Sequence, residues 1–343
     1  LQDGDQVIRA RTARRIAATA AYGGGGFTVL GGLTFGLLLV EARLAKKIIK
    51  AAPNGAPPAA DRVYGAALPG DPIPFVVLGD STAAGLGVQE PDETLGALLA
   101  TGLSATASRP VALTTFAKSG SRSEALPGQV TRALEMRPEI ALIMIGANDV
   151  TARTPAAESV RHLDIAVRRL RDAGCDVVVG TCPDLGSVEP LMQPLRWVAR
   201  RASRQLAAAQ TIVVVERGGR SVSLGGLLGP EFAANPLEMF SADRYHPSAR
   251  GYAAAAAALL PSMAAALGFE PEPEEPTDPR RGAGVLPVYL AAAEAAEEPG
   301  TEVAGAEVAG RERGPRGRWA TLLRRRDVAT AADSGDTASS GAA

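Results

Sequence analysis

Between Phe75 and about Phe269 the apolar positions follow two alternating patterns. Short runs that are apolar at nearly every position, many of them β-branched, read PFVVLGD, VALTTFAKSG, EIALIMIGAND, CDVVVGTCPD and TIVVVERG. Between them lie longer stretches at 93–106, 123–136, 154–173, 190–209 and 248–266 in which apolar residues recur every three or four positions. Strands without polar alternation are covered on both faces, and strands separated by helices pair in parallel through crossovers. The pattern predicts one doubly wound α/β domain over residues 74–269, built on a five-stranded parallel sheet.

Outside this region the pattern changes. From Ile16 to Val40 no residue is charged, a run of 25 residues that is long enough to cross a bilayer. We expect a transmembrane helix at about 16–40; the competing reading is a glycine-rich helix lying on the folded domain. Gly32 and Gly36 have the spacing that lets two such helices approach, the one hint of an oligomer. A cleaved leader fits less well, because VEARLAKKIIK follows where small residues should mark a cleavage site. Orientation stays undetermined: Arg9, Arg11, Arg14 and Arg15 precede the run, and Arg43, Lys46, Lys47 and Lys50 follow it. Residues 1–50 are therefore expected to form a basic, membrane-anchored N-terminus, and residues 51–73, dotted with Pro53, Pro57, Pro58, Pro69 and Pro72, read as a semi-rigid linker. Residues 270–343, with EPEPEEPTDPRR and TEVAGAEVAGRERG, have the composition of a disordered tail. Within the tail, Trp319, Leu322 and Leu323 stand among arginines and suit a short basic helix on anionic lipid, or a solvated charge run.

Composition narrows the function. Of 343 residues, 46% are apolar, enough for a large core, but only 4% are aromatic, so alanine, valine and leucine must fill it. A net charge of -1 without a central basic cluster argues against nucleic acid as a partner. The two cysteines, Cys175 and Cys182, flank a predicted strand and would stand over about 20 Å apart, too far for a disulfide. With only His162 and His246 beside them no metal-ligand spacing exists, and no glycine-rich phosphate loop follows a strand, so neither a metal nor another cofactor is expected.

In a doubly wound sheet, ligands bind at the carboxyl ends of the strands. Those ends carry Gly79-Asp80-Ser81, Lys118-Ser119-Gly120, Gly146-Ala147-Asn148-Asp149 and Pro183-Asp184. Taken singly, each is ordinary: a turn, a helix-entry glycine, a helix cap. Further on, SADRYHPSARGY places Asp243 three residues before His246, so one tight turn brings the carboxylate to an imidazole nitrogen. A carboxylate there fixes the tautomer and orients the ring as a base. His162 sits in mid-helix without such a neighbour and reads as structural. Asp80 and Asp149 read as braces of their turns.

Together the blocks GDST (79–82), AKSGS (117–121), IGAND (145–149) and DRYHP (243–247) resemble the SGNH hydrolases, also called GDSL-type esterases and lipases; TCPDLG (181–186) looks like that family's strand-four turn. Thr82 stands where the nominal motif has leucine. The resemblance covers about 75–268 and implies a flavodoxin-like three-layer αβα sandwich. It also implies ester hydrolysis through an acyl-enzyme. Carried over by position, Ser81 is the nucleophile, His246 the base and Asp243 its orienting acid, with an oxyanion hole from the Ser81 and Gly120 N–H groups and the Asn148 amide. The residues alone lead to the same roles, since a serine hydroxyl needs a neighbouring base and His246 is the only plausible one. An anchored domain suggests a lipid or long-chain acyl ester as substrate. The alternatives are O-acetyl removal from an envelope glycan, and a non-catalytic membrane-tethered binding protein on the same fold.

Overall fold

A computed structural model describes residues 41, 55–188, 190–224, 235–269, 285–298, 300–306 and 319–324. All of these except Glu41 belong to one compact unit, residues 44–343. The strands are β1 (Val63–Tyr64), β2 (Ile73–Gly79), β3 (Val111–Thr115), β4 (Ile140–Met144), β5 (Asp176–Gly180), β6 (Arg220–Val222), β7 (Val285–Pro287), β8 (Thr301–Gly305) and β9 (Trp319–Arg324). The helices are α1 (Leu95–Ala107), α2 (Leu126–Glu135), α3 (Ala147–Ala152), α4 (Ala156–Asp172), α5 (Leu195–Glu216), α6 (Pro236–Met239), α7 (Ala249–Ala266) and α8 (Val288–Glu297). One sheet runs in the order β1-β3-β2-β4-β5-β6-β8-β9-β7.

Its central five strands, β3-β2-β4-β5-β6, are all parallel, with Phe75 of β2 opposite Leu113 on one side and Ile140 on the other. Because successive side chains point to opposite faces, Phe75, Val77, Leu142 and Val178 pack under α1 and α7 with Leu99, Leu103, Tyr252 and Leu259. Val76, Leu78, Ile143 and Val179 face the other way, onto Leu126 and Val130 of α2, Leu163 and Val167 of α4, and Val214 of α5. These are the three layers expected, and they explain why the strands are apolar throughout.

The sheet is larger than the five parallel strands expected, and it is mixed. At one margin β1 pairs antiparallel with β3; Tyr64 is buried and its hydroxyl donates to the Ala60 carbonyl. The segment read as a linker thus supplies a strand. At the other margin β8 pairs antiparallel with β6, and β9 joins β8 to β7. Part of the tail expected to be disordered therefore folds: Ala291, Ala295, Val303, Ala320 and Leu322 close over Val215 of α5. Trp319 to Leu323 is a strand with Ala320 and Leu322 inward, not an amphipathic helix. Alternation with period two was present in WATLLR, hidden by the arginines around it.

TIVVVERG is also corrected. It is not the fifth strand but the end of α5, and β6 follows it as Arg220–Val222. Ala207, Gln210, Thr211, Val214 and Val215 are buried, a spacing of three and four that only a helix aims at one side. Burial on that stripe outweighs the strand preference of three valines in a row.

The run 16–40, read as a transmembrane helix, lies outside the described residues. Among the described residues no helix is long and apolar enough to cross a membrane.

Candidate active site

The turn after β2 is fixed before any chemistry is considered. Gly79 has φ +134°, and a Cβ there would stand 1.8 Å from the Met144 carbonyl oxygen of β4, so no other residue fits. Its N–H donates to Oε1 of Gln129 at 2.8 Å, and Nε2 of Gln129 donates back to its carbonyl at 2.9 Å. The Asp80 N–H donates to the Met144 carbonyl, and Oδ1 of Asp80 accepts from the Thr82 N–H at 3.0 Å. Ser81 follows, buried at the head of the turn.

On the opposite side, residues 240–247 form a closed loop in which Ser241 N–H donates to the His246 carbonyl. Asp243 is buried inside it. Its Oδ1 accepts from the Tyr245 N–H (2.8 Å), the His246 N–H (2.9 Å) and the Ser241 hydroxyl (2.8 Å). Oδ2 meets Nδ1 of His246 at 2.5 Å, and Nε2 of His246 lies 2.9 Å from Oγ of Ser81. Burial alone would raise the Asp243 carboxyl, but its hydrogen bond to His246, the imidazole charge and the backbone N–H groups hold it well below the usual carboxylate range. An ionised Asp243 keeps the proton on Nδ1, which leaves Nε2 as acceptor for the Ser81 O–H. The helix after the loop, α7, starts at Ala249 with Ser248 as its cap, two residues beyond Pro247.

Gly120 lies on the loop after β3 and Asn148 in the first turn of α3, just after β4. Nδ2 of Asn148 donates to the Ser121 carbonyl at 3.0 Å, which ties the amide to the Gly120 loop and leaves its second hydrogen for another acceptor. Asn148 is in the first turn of α3, so it is not a cap. Gly120 has φ +80°, and a Cβ there would meet nothing within 4 Å. Its glycine is required by the left-handed backbone and not by crowding. Among the described residues the N–H groups of Ser81 and Gly120 donate to no partner.

Asp149 is a brace. Buried, it accepts from the Ser123 N–H and hydroxyl and from the Ser159 hydroxyl, joining α3, α4 and the Gly120 loop. Asp80 braces its own turn at a cost: burial pushes its carboxyl up from 3.8 to about 6, against the Thr82 N–H and the His246 charge. A folded-state value above the unfolded one means that ionisation opposes folding. The penalty is absent below 3.8, grows as pH rises to 6 and is constant above it. Asp80→Asn should therefore raise stability by about 3 kcal/mol at pH 8 and by nothing below pH 4, read from urea denaturation across pH.

Two glutamines carry positioning roles that the sequence reading missed. Gln129 clamps Gly79, and Gln210 of α5, on the same side of the sheet, bridges two strand ends: Oε1 accepts from the Cys182 N–H at 2.7 Å and Nε2 donates to the Ile145 carbonyl at 2.8 Å. A lone glutamine on an apolar helix face, as in LPGQVTRAL and LAAAQTIVV, was the available signal. Both cysteines are free and buried, and burial pushes Cys175 up to about 12 and Cys182 well above its usual value. They are inert thiols. No group of metal-ligating side chains exists among the described residues.

Beside Ser81 opens a pocket with about 710 Å³ of empty space, its solvent-facing mouth included. Met144, Ile145, Leu185, Val188, Leu224 and Ala255 make its wall mainly apolar. The Tyr245 ring meets His246 edge-on at 4.9 Å and also lines it.

A hydroxyl, an imidazole and a buried carboxylate in series, at the carboxyl end of a doubly wound sheet, make the constellation of a serine hydrolase. The model of the GDSL-like lipase/acylhydrolase family matches residues 77–254. The chain belongs to that family, a group of SGNH-type carboxylic ester hydrolases. It is 42% identical over 270 residues to a GDSL-like esterase of Mycobacterium tuberculosis, an alignment covering 75% of this chain and 84% of the relative. Among solved structures it is similar to an α/β-hydrolase enzyme from the metagenome of Lake Arreo, Spain, at 19% identity and a TM-score of 0.46, over 58% of this chain and 97% of that one. A catalytic mutant of an acetylxylan esterase from Geobacillus stearothermophilus is similar at 18% identity and a TM-score of 0.45, over 59% and 97%.

Proposed function

We propose that this ester hydrolase works through an acyl-enzyme on Ser81, with a substrate whose acyl group is apolar. Nε2 of His246 takes the Ser81 proton as Oγ bonds to the carbonyl carbon, and the imidazolium then gives that proton to the departing alkoxide. Water enters, His246 removes its proton, and the acid leaves as the Ser81 oxygen recovers a proton. Asp243 stabilises the imidazolium without taking its proton. The negative charge on the former carbonyl oxygen falls to the N–H groups of Ser81 and Gly120 and the free amide hydrogen of Asn148. The observation that carries this reading is the 2.9 Å approach of Nε2 to Oγ, with Nδ1 held by the buried carboxylate.

Asn148→Ala tests the oxyanion role: kcat should fall roughly 100- to 1000-fold with KM little changed, in steady-state hydrolysis of an activated ester. An unchanged kcat would remove Asn148 from the site.

The apolar wall beside Ser81 supports a lipid-type or long-chain acyl ester, because each methylene placed there adds transition-state binding, about 1 to 3 kcal/mol at most. A series of nitrophenyl esters of increasing acyl length measures it. Rising kcat/KM with length supports the reading, and a maximum at acetate, with acetylated sugars as better substrates, overturns it. For residues 16–40 a single-pass membrane anchor remains our proposal, on the strength of their charge-free length. Alkaline carbonate extraction of membranes, which strips peripheral chains, tests it.

A further inference from the structure

Parallel topology puts the loop after β5 and the start of α5 at the same end of the sheet as Ser81. That end carries several largely exposed apolar side chains close together in sequence. Met192 is 65% exposed and Trp197 is 60% exposed, with Val198 beside them. Three exposed large apolar side chains within seven residues are more than any other stretch of the described surface holds, the nearest being the adjacent pair Tyr289 and Leu290. In the chain these residues follow directly on part of the pocket wall. Leu185 and Val188 line the pocket, Leu191 packs on the cluster they form with Ala147 and Ala199, and the following turn is closed by the Arg196 N–H donating to the Met192 carbonyl and Nε of Arg196 to the Leu191 carbonyl.

Arginines accompany these exposed side chains. Arg196, Arg200, Arg201 and Arg204 lie in the first turns of α5, and residues 184–204 carry these four arginines against two carboxylates, Asp184 and Glu189. Arg200 and Arg204 share one acid, the buried Asp184, at 3.3 and 3.2 Å, and over residues 184–204 two more arginines than carboxylates remain. The Arg201 guanidinium lies over the Trp197 ring, 6.0 Å from its centroid. A tryptophan and a methionine amid arginines, at and just before the start of a helix, suit the headgroup layer of a bilayer: the apolar parts enter and the guanidinium groups stay among phosphates.

We propose that the turn 191–198 and the first exposed face of α5 dock on a bilayer surface rich in anionic lipid, setting the mouth of the pocket against that surface. Charge complementarity selects this occupant, since an excess of arginine attracts anionic headgroups by about a kilocalorie per side chain near the surface. The proposal concerns a face of the folded domain and holds whether or not residues 16–40 span a membrane. It also stands apart from the catalytic roles assigned above.

Trp197 is one of only two tryptophans, so Trp319→Phe in the full chain makes it the sole reporter. Vesicles of phosphatidylcholine alone are compared with vesicles containing roughly one third phosphatidylglycerol, both with brominated acyl chains as quenchers. The anionic vesicles should shift Trp197 emission to shorter wavelength and quench it, and the neutral ones should do so far less. Adding Arg201→Gln should weaken this docking roughly fivefold while hydrolysis of a short soluble ester is unchanged. Emission that is the same with and without anionic vesicles overturns the proposal. So does a shift that grows with protein concentration in the absence of lipid, which would make the face a contact between copies of the chain.

Discussion

Ser81→Ala should lower kcat/KM for a simple ester by roughly 10⁴- to 10⁶-fold, because the bond-forming oxygen is gone and only binding and oxyanion stabilisation remain. The substitution removes one oxygen from a buried turn already held by Gln129 and the Met144 carbonyl, so the fold should survive, which circular dichroism and the denaturation midpoint verify. Covalent labelling by a fluorophosphonate should vanish with the activity. His246→Ala in the same background should cost little more, since the two groups act as a unit. Labelling of the Ser81→Ala chain at the parental rate would place the nucleophile elsewhere.

Asp243→Asn should cost about 10⁴-fold in kcat. The reason is geometric. In the parent, Oδ1 accepts two backbone N–H groups and a hydroxyl while Oδ2 faces Nδ1. An asparagine must keep its oxygen on the three donors, so its NH₂ group faces Nδ1. The imidazole then carries its proton on Nε2 and has no lone pair for the Ser81 hydroxyl. KM should change much less than kcat, because neither Oδ atom touches substrate. A variant that retains most of its turnover would show that His246 needs no fixed tautomer here.

Much of this site was legible from the chain because its pieces are short and local. Asp243 and His246 are three residues apart, and a single turn determines their meeting. Ser81, Gly120 and Asn148 each stand within five residues of the end of a strand, where a parallel sheet must place its loops. What joins those pieces was not legible. Gln129 reaches Gly79 across 50 positions and Gln210 reaches Ile145 across 65, and no local pattern encodes either partner. The pocket wall draws on β4, the loop after β5, Leu224 and α7, so its character emerges only when the layers are stacked. TIVVVERG shows the opposite failure, in which a strong local preference was read correctly and then overruled by the stripe that α5 must bury.

The short strand β6 has a further role in how the molecule meets its own kind. A parallel sheet ending there would offer bare N–H and C=O groups along its margin, an open template for another chain. Here Val303 and Glu302 of β8 occupy that margin, and Glu302, fully enclosed, is neutralised by Arg220 of β6 at 2.7 Å. Backbone pairing and one enclosed charge pair thus latch the late part of the chain onto the hydrolase sheet. The same polypeptide supplies the guest strand, so crowded copies have no free rim there through which to fuse into fibrils or swapped assemblies.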